Sequence, residues 1–208
     1  ARFQPTNGMR GNAMLDLDKK QGIKANLIAE IGTGDAERIW TRAKEILKDI
    51  EAKYPDLPKG QEMHASFIFP AAAVQLAIKE IKGDTDLGYR AISEFSWSNS
   101  RKVGKKLKRA AKIPGFKRFF VKAWSPVSRK FFGPDAGFQN VFYPKKKGEY
   151  KMDIVACPYN RYFTELGTPE LTKIFCINDV YTYGDIPGLE FSRTQTLGQG
   201  GDKCDFCI

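Results

Sequence analysis

The chain has 208 residues and a formal net charge of +10, with 42% hydrophobic and 28% charged residues. This length suits one domain with a sizeable core, and the composition is that of an ordinary soluble protein. No apolar run is long enough to cross a bilayer and no signal-peptide pattern opens the sequence, so we expect a cytoplasmic protein. Its four cysteines are therefore predicted to be reduced thiols, and disulfides are the alternative.

The N-terminal half of the chain predicts helices. Residues 1–30 are weakly patterned, so we expect a weakly structured arm ahead of one domain that covers residues 31–208. Residues 35–112 are predicted to be helical, because apolar residues recur there at helical spacing. Pro70 is interpreted as the first residue of one of these helices. The four predicted helices cover residues 35–54, 70–82, 84–95 and 100–112.

The C-terminal part, residues 136–208, is predicted to be rich in strands. Short runs of β-branched and aromatic residues between turn residues indicate two hairpins, with two short helices between them. Helices followed by antiparallel strands indicate an α+β fold, in which N-terminal helices pack on a C-terminal antiparallel sheet in a single domain. The predicted strands cover 138–143, 150–157, 189–197 and 203–208, and the predicted helices cover 158–166 and 169–176.

The positive charge is concentrated between Arg101 and Lys151. This stretch has a net charge of +14, because only Asp135 and Glu149 oppose its sixteen Lys and Arg residues, and the rest of the chain carries −4. Nucleic acid, an anionic membrane or an acidic partner could use such a surface, but a solvated helix face is the commoner explanation. Since no nucleic-acid motif accompanies the charge, we do not expect nucleic acid as a partner.

Cys157 is predicted to lie where a strand ends and a proline-initiated helix begins. Free backbone N–H groups and the helix dipole stabilise a thiolate at such a position, which favours a nucleophile. The alternative is a buried cysteine that only packs. The one histidine, His64, is far from the cysteines in sequence and is interpreted as a structural or surface residue. The alternative is a Cys–His pair with Cys157, which would require the helical part to fold over the sheet.

Cys204 and Cys207 form a CxxC pair, a spacing used by zinc sites and redox sites. On the predicted strand, residues three apart point to opposite faces, so this pair is not expected to chelate a metal. A divalent metal site that uses Cys176 and Cys204 stays open as an alternative.

Arg193 shares the apolar face of the predicted strand 189–197, where a guanidinium needs a partner. A substrate carboxylate is one candidate, because it matches the forked geometry of arginine. The other is an internal salt bridge with Asp179, Asp205 or Glu165.

Short motifs in the C-terminal half occur in a defined order. They are Cys157-Pro158-Tyr159, the run from Glu165 to Leu171, Phe175-Cys176 with Asp179, the run from Phe191 to Leu197, and Cys204-Asp205-Phe206. As a set they resemble the L-2-amino-thiazoline-4-carboxylic acid hydrolase family, while the first sixty residues contribute little to the resemblance. Cys207 departs from the family pattern.

The resemblance implies hydrolysis of a cyclic amidine: water adds to the ring carbon between sulfur and nitrogen, and the ring opens to a carbamoyl-cysteine. A small carboxylate is then the expected partner, and the protein is a possible homo-oligomer. The second hypothesis is a non-catalytic pocket whose thiols and arginine bind a ligand, cofactor or divalent metal. The residues implied for catalysis are Cys157, Cys204 and Asp205, and those implied for substrate binding are Arg193, Glu165, Asp179, Thr194 and Thr196.

Overall fold

The computed structural model describes residues 15–144 and 146–208. This part of the chain contains seven α-helices and one three-stranded antiparallel sheet. Helices dominate the N-terminal part and the sheet lies in the C-terminal part, which confirms the predicted α+β fold. The elements are α1 (Gln21–Ile31), α2 (Thr33–Lys53), α3 (Lys59–Lys82), α4 (Thr85–Ala110), α5 (Phe116–Phe131), β1 (Gln139–Phe142), β2 (Lys151–Ala156), α6 (Pro158–Glu165), α7 (Thr172–Tyr183) and β3 (Cys204–Cys207).

The segment before α2 differs from the weakly structured arm predicted for residues 1–30. A 3₁₀-helix precedes α1, and the Asp16 side chain caps it by accepting a hydrogen bond from the backbone N–H of Asp18 at 2.9 Å. Ile23 and Leu27 are buried where α1 packs against α2 and α4. Residues 1–14 of the predicted arm lie outside the described residues.

The helix predicted over residues 35–54 is confirmed as α2, and it packs against α3. Its predicted apolar stripe faces the interior because residues three and four apart share one face of a helix. All residues of the predicted stripe are buried, together with Ala36 and Trp40; the stripe comprises Ile39, Ala43, Ile46, Leu47 and Ile50.

Helix α3 begins eleven residues before Pro70, which was predicted to start it. A proline inside a helix removes one backbone hydrogen bond. Here the loss is offset by burial, since Phe69, Pro70 and Ala71 are all inside the protein. Tertiary packing therefore overrides the local preference of proline for a helix start.

Helix α4 is continuous where two helices were predicted, over 84–95 and 100–112. The polar run between them suggested a break, but its side chains find partners on α7. Ser96 and Asn178 exchange side-chain hydrogen bonds of 3.1 and 2.9 Å. The Trp97 indole N–H donates to the carbonyl of Ile174 at 3.0 Å. These contacts satisfy the polar groups and let the helix continue.

Two other helices also differ from prediction. Helix α5 was not predicted, and α7 extends to Tyr183 instead of ending at residue 176. The aromatic residues Phe116, Phe120 and Trp124 of α5 are four apart and lie against the C-terminal cluster described below. Cations separate these aromatic residues and Pro126 follows them, which weakens the apolar pattern that a helix prediction depends on.

The sheet has the order β1-β2-β3, with antiparallel pairing throughout. The hairpin predicted from 138–143 and 150–157 is confirmed, but the second predicted hairpin is wrong. Strand β3 pairs with β2, and in 189–197 only Ser192 forms a bridge, to Cys207. The Asp205 carboxylate accepts hydrogen bonds from the backbone N–H groups of Thr194 and Gln195, at 2.9 and 2.8 Å. The Asp205 side chain thus accepts the hydrogen bonds that the backbone of a partner strand would accept in a hairpin.

Two hydrophobic clusters form the interior. The N-terminal cluster lies among α1 to α4, α6 and α7, and includes Leu27, Phe69 and Ile92. The C-terminal cluster joins α5, the sheet and the segment after α7, and includes Tyr183 and Phe206. Among the described residues, no helix combines the length and apolar character needed to cross a membrane.

Candidate active site

A cavity of about 360 Å³ lies between the two clusters. Helices α1, α3, α4 and α7 form much of its wall. Most of the rest comes from the end of β2, the start of α6, one residue of β3, and the side chains of Phe132, Phe138 and Arg193. Most of the wall is apolar. The groups in it that carry chemistry are Cys157, Tyr159, Cys176, Asp179, Arg193 and Cys204.

Arg193 and Asp179 form an ion pair in this wall. The guanidinium donates from Nη1 to Oδ2 of the carboxylate at 2.9 Å, and the Arg193 side chain is only 7% exposed. The Asp179 side chain keeps 39% of its accessible surface, but this residue lines the cavity, so much of that surface is poorly hydrated. Burial therefore raises the pKa of Asp179 to about 6, although the arginine opposes the shift.

Cys176 and Cys204 both lie in this wall, and their thiols interact so that the pKa of Cys176 falls and that of Cys204 rises. The Cys204 thiol donates to Cys176 and is the main reason that the pKa of Cys176 is lowered to about 6. The backbone N–H of Gly198 and the charge of Arg193 add to this effect against burial. The pKa of Cys204 is raised, because its proton is shared with Cys176 and because it is buried.

The hydroxyl of Thr196 lies near the Cys176 sulfur and near the side chain of Gln199. It donates to Oε1 of Gln199 at 3.0 Å, and it is also within reach of the Cys176 sulfur. A hydroxyl has one proton, so Thr196 stabilises the thiolate only when it turns away from Gln199.

Residue 198 must be a glycine because the backbone passes close to Cys176 and Thr172 at this point. A Cβ atom on this residue would lie 2.9 Å from the Cys176 sulfur and 2.7 Å from Cγ2 of Thr172. Because glycine has no side chain, the backbone N–H can reach the sulfur. This contact joins the 197–199 turn to α7 across more than twenty residues of sequence.

Cys157 is the N-cap residue of α6, as the sequence predicted, but it is not a stabilised thiolate. Burial raises its pKa to about 12, although the backbone N–H groups of Asn160 and Tyr159 oppose the shift. The cost of burying a charge thus exceeds what the helix start supplies. Cys157 stays protonated at neutral pH.

Tyr159 is held in the wall by His64, a contact that sequence reasoning missed. Nε2 of His64 lies 2.6 Å from the carbonyl of Phe131, which can only accept, so Nε2 carries the proton. Nδ1 then accepts from the Tyr159 hydroxyl at 3.1 Å. Burial lowers the pKa of His64, which keeps the ring neutral in this tautomer. The histidine is structural, as expected, and does not pair with Cys157.

Thr172 is a second polar group of the wall that was not predicted. It is 1% exposed, and its hydroxyl makes no hydrogen bond within the described part of the chain. A buried hydroxyl without a partner is costly, so this atom is available to a bound molecule.

Four residues predicted for the site lie outside the cavity wall: Asp205, Thr194, Glu165 and Thr196. The Thr194 hydroxyl donates a hydrogen bond of 2.6 Å to the Asp205 carboxylate. Burial alone would raise the pKa of Asp205, but the bonds from Thr194 and Gln195 outweigh it and lower the pKa. Glu165 lies on the surface and accepts a hydrogen bond of 2.7 Å from the Tyr54 hydroxyl.

No group of three or more His, Cys, Asp or Glu side chains suited to a metal ion occurs in residues 15–144 and 146–208. Cys176 and Cys204 are the ligands considered for a divalent metal, and their free thiols interact with each other instead. Cys204 and Cys207 lie on opposite faces of β3, as the strand spacing predicts. Cys204 is buried in the cavity wall and Cys207 lies on the other face.

Comparison with known proteins gives one match. A family described as L-2-amino-thiazoline-4-carboxylic acid hydrolase matches residues 60–208. The matched region contains every cysteine of the chain and the Arg193–Asp179 pair. No curated protein and no solved structure matches the chain.

Proposed function

Because this chain belongs to the L-2-amino-thiazoline-4-carboxylic acid hydrolase family, we propose that it hydrolyses 2-aminothiazoline-4-carboxylate or a closely related cyclic amidine. The observation that carries the proposal is the position of the Arg193–Asp179 ion pair in the same cavity as Cys176, a cysteine whose pKa is lowered to about 6. A pair of opposite charges, a nucleophile and a proton donor are what this reaction requires.

The ion pair complements the two charges of the substrate. The substrate carries a carboxylate and a basic amidine, so it is a zwitterion near neutral pH. Arg193 can bind the carboxylate through two parallel hydrogen bonds, and Asp179 can accept from the amidinium N–H groups. Binding then replaces the ion pair between Arg193 and Asp179 with two ion pairs between these residues and the substrate. A volume of about 360 Å³ is sufficient for a molecule of this size.

Cys176 is the proposed nucleophile. Its thiolate adds to the ring carbon between sulfur and nitrogen, and the bond from that carbon to the ring sulfur breaks. The departing ring sulfur takes the proton of Cys204, which leaves an amidinium bound through sulfur to Cys176. Proton donation to a leaving group of this kind typically contributes about 10²- to 10⁴-fold in rate.

Water completes the reaction. It adds to the carbon bound to Cys176, Asp179 accepts a proton from it, and Cys176 leaves as the thiolate. The second proton, which is released as the amidinium becomes a urea, restores the Cys204 thiol. The product is the carbamoyl-cysteine. All four cysteines are free, and this chemistry needs Cys176 and Cys204 reduced, so we place the protein in a reducing compartment such as the cytoplasm.

The test is a comparison of Cys176→Ser with Cys207→Ser on 2-aminothiazoline-4-carboxylate. We expect Cys176→Ser to lower kcat/KM by about 10³-fold or more, because serine is not ionised at this pH. Cys207→Ser is the matched control, since it removes a thiol that does not line the cavity, and it should keep wild-type activity. Equal activity of the two variants would reject Cys176 as the nucleophile.

A non-catalytic binding pocket is the competing proposal, and the largely apolar wall favours it. Phe67, Ile92 and Phe95 contribute much of that wall. Ring opening can be followed directly, while binding alone would raise the thermal midpoint without product. A substrate-dependent rise in the midpoint with no carbamoyl-cysteine formed would favour the binding protein over the hydrolase.

A further inference from the structure

The turn between α4 and α5 carries a surface that the cavity does not explain. We call residues 102–122 the α4–α5 corner. This stretch has nine Lys and Arg residues and no Asp or Glu. Lys108 alone among them has an ion-pair partner in the described residues, Asp185 at 2.6 Å. The other eight are Lys102, Lys105, Lys106, Arg109, Lys112, Lys117, Arg118 and Lys122.

Helical spacing places the unpaired cations on the outer side. On α4, Lys102, Lys105, Lys106 and Arg109 share one exposed face, because they are three and four residues apart. The opposite face packs inward, where Gly104 approaches the Tyr181 carbonyl so closely that a Cβ would lie 2.4 Å from it. The helix is therefore fixed with its cations toward solvent.

The corner also exposes apolar side chains. Ile113 is 64% exposed and Phe119 is 71% exposed, the two highest values among the large hydrophobic residues that the structure describes. Phe120 and Trp124 of α5 stack on each other in the C-terminal cluster, with ring centroids 5.8 Å apart, so α5 does not need Phe119 for its packing. Arg118 and Lys122 flank Phe119 on the outer face of α5.

A second cavity, a groove of about 910 Å³, opens beside these residues. Lys112, Lys117 and Arg118 contribute to its wall from the corner, and Lys146 and Lys147 contribute from the turn before β2. Glu149 is the one acidic residue in the wall, and it lies 3.8 Å from Lys146. The groove can thus accept negatively charged groups of small size.

We propose that the α4–α5 corner docks on a membrane surface rich in anionic phospholipid. Ile113 and Phe119 enter the boundary between headgroups and acyl chains, and the lysines and arginines attract the charged headgroups, some of which enter the groove. Projecting apolar side chains surrounded by flexible lysines suit a fluid surface. Phe119 is the one exposed aromatic side chain of the corner, so the corner offers no row of aromatic rings on which successive bases could stack.

Co-sedimentation of the full chain with lipid vesicles tests this proposal. We expect binding to vesicles of phosphatidylcholine mixed with phosphatidylserine, no binding to phosphatidylcholine alone, and release by high salt. The triple change Lys117→Glu, Arg118→Glu and Lys122→Glu should reduce the bound fraction by about tenfold or more. Ile113→Ser with Phe119→Ser should weaken binding even though the charge is unchanged.

The matched control reverses three exposed lysines elsewhere, Lys48, Lys79 and Lys173, which gives the same net charge. This control should still bind, and all variants should keep the wild-type thermal midpoint. Equal loss of binding in the control and the corner variant would mean that only net charge matters and would overturn the proposal. Absence of wild-type binding to phosphatidylserine vesicles, or retention on nucleic acid in preference to vesicles, would overturn it as well.

Discussion

The cavity and the α4–α5 corner use charge in opposite ways. In the cavity, Arg193 and Asp179 are paired at 2.9 Å, and Cys204 and Gly198 lower the pKa of Cys176. At the corner, eight of the nine cations have no partner in the described residues. The difference follows from hydration, because a buried charge must be compensated by protein groups whereas an exposed one is compensated by water. Changes in the cavity should therefore affect folding much more than changes at the corner.

The largest expected effect on stability is that of Arg193→Met. This change leaves the Asp179 carboxylate without its partner in a poorly hydrated wall, so we expect the free energy of unfolding to fall by about 3 kcal/mol. Arg118→Met makes the same change at the corner and should stay within about 0.5 kcal/mol of wild type. Chemical denaturation of both variants measures the contrast. A similar loss in both would show that the two regions do not differ in this respect.

Gly198→Ala should have the next largest effect. The added methyl group would meet the Cys176 sulfur and Thr172, so we expect a loss of about 1–3 kcal/mol in the free energy of unfolding. Gly34→Ala is the matched control: nothing lies within 4 Å of its Cβ position and it is inside α2, where alanine should stabilise by up to about 1 kcal/mol. If both variants were equally stable, the turn around Gly198 would be free to move away from Cys176.

The smallest expected effect is a pH dependence that originates in the cavity. The pKa of Asp179 is about 6 in the folded chain against an ordinary value of 3.8. Between these values the folded state binds more protons than the unfolded state, so stability should fall as pH rises from about 4 to about 6. We expect a change of about 1 kcal/mol, smaller than the full shift implies, because the side chain is partly accessible.

Asp179→Asn removes this titration, so the difference between wild type and variant in denaturation series across that pH range isolates it. Cys176 contributes with the opposite sign at higher pH. Its pKa is lowered from 9.0 to about 6, so it adds stability as pH rises between those values. No fall in the wild type relative to Asp179→Asn between pH 4 and 6 would contradict the raised pKa of Asp179.

The fold could be predicted where local pattern and tertiary packing agree. The apolar stripe of α2 and the β1–β2 hairpin are examples, because their periodicity alone determines which side faces inward. The prediction failed where a distant partner decides the outcome. Ser96 and Trp97 continue α4 because α7 supplies their hydrogen bonds, and Asp205 holds Thr194 and Gln195 out of a strand.

The candidate site was predictable in part for the same reason. Arg193 was expected to need an internal partner or a substrate, and the Asp179 pair is present although 189–197 is not a strand. Cys176 was considered only as a metal ligand. Its low pKa depends on Gly198 and Cys204, which lie more than twenty residues away and carry no sequence signal that links them to it. Cys157 has a clear local signal, but burial outweighs it.

The continuous helix α4 has a consequence for how the protein unfolds. Leu87, Ala91 and Ile92 near its start belong to the N-terminal cluster, and Leu107 near its end packs against the C-terminal cluster. Unfolding one cluster would leave half of this helix without its packed face, so the two clusters should unfold as one cooperative unit. A molecule bound in the cavity between them would then slow amide hydrogen exchange throughout both, far from any atom that it touches.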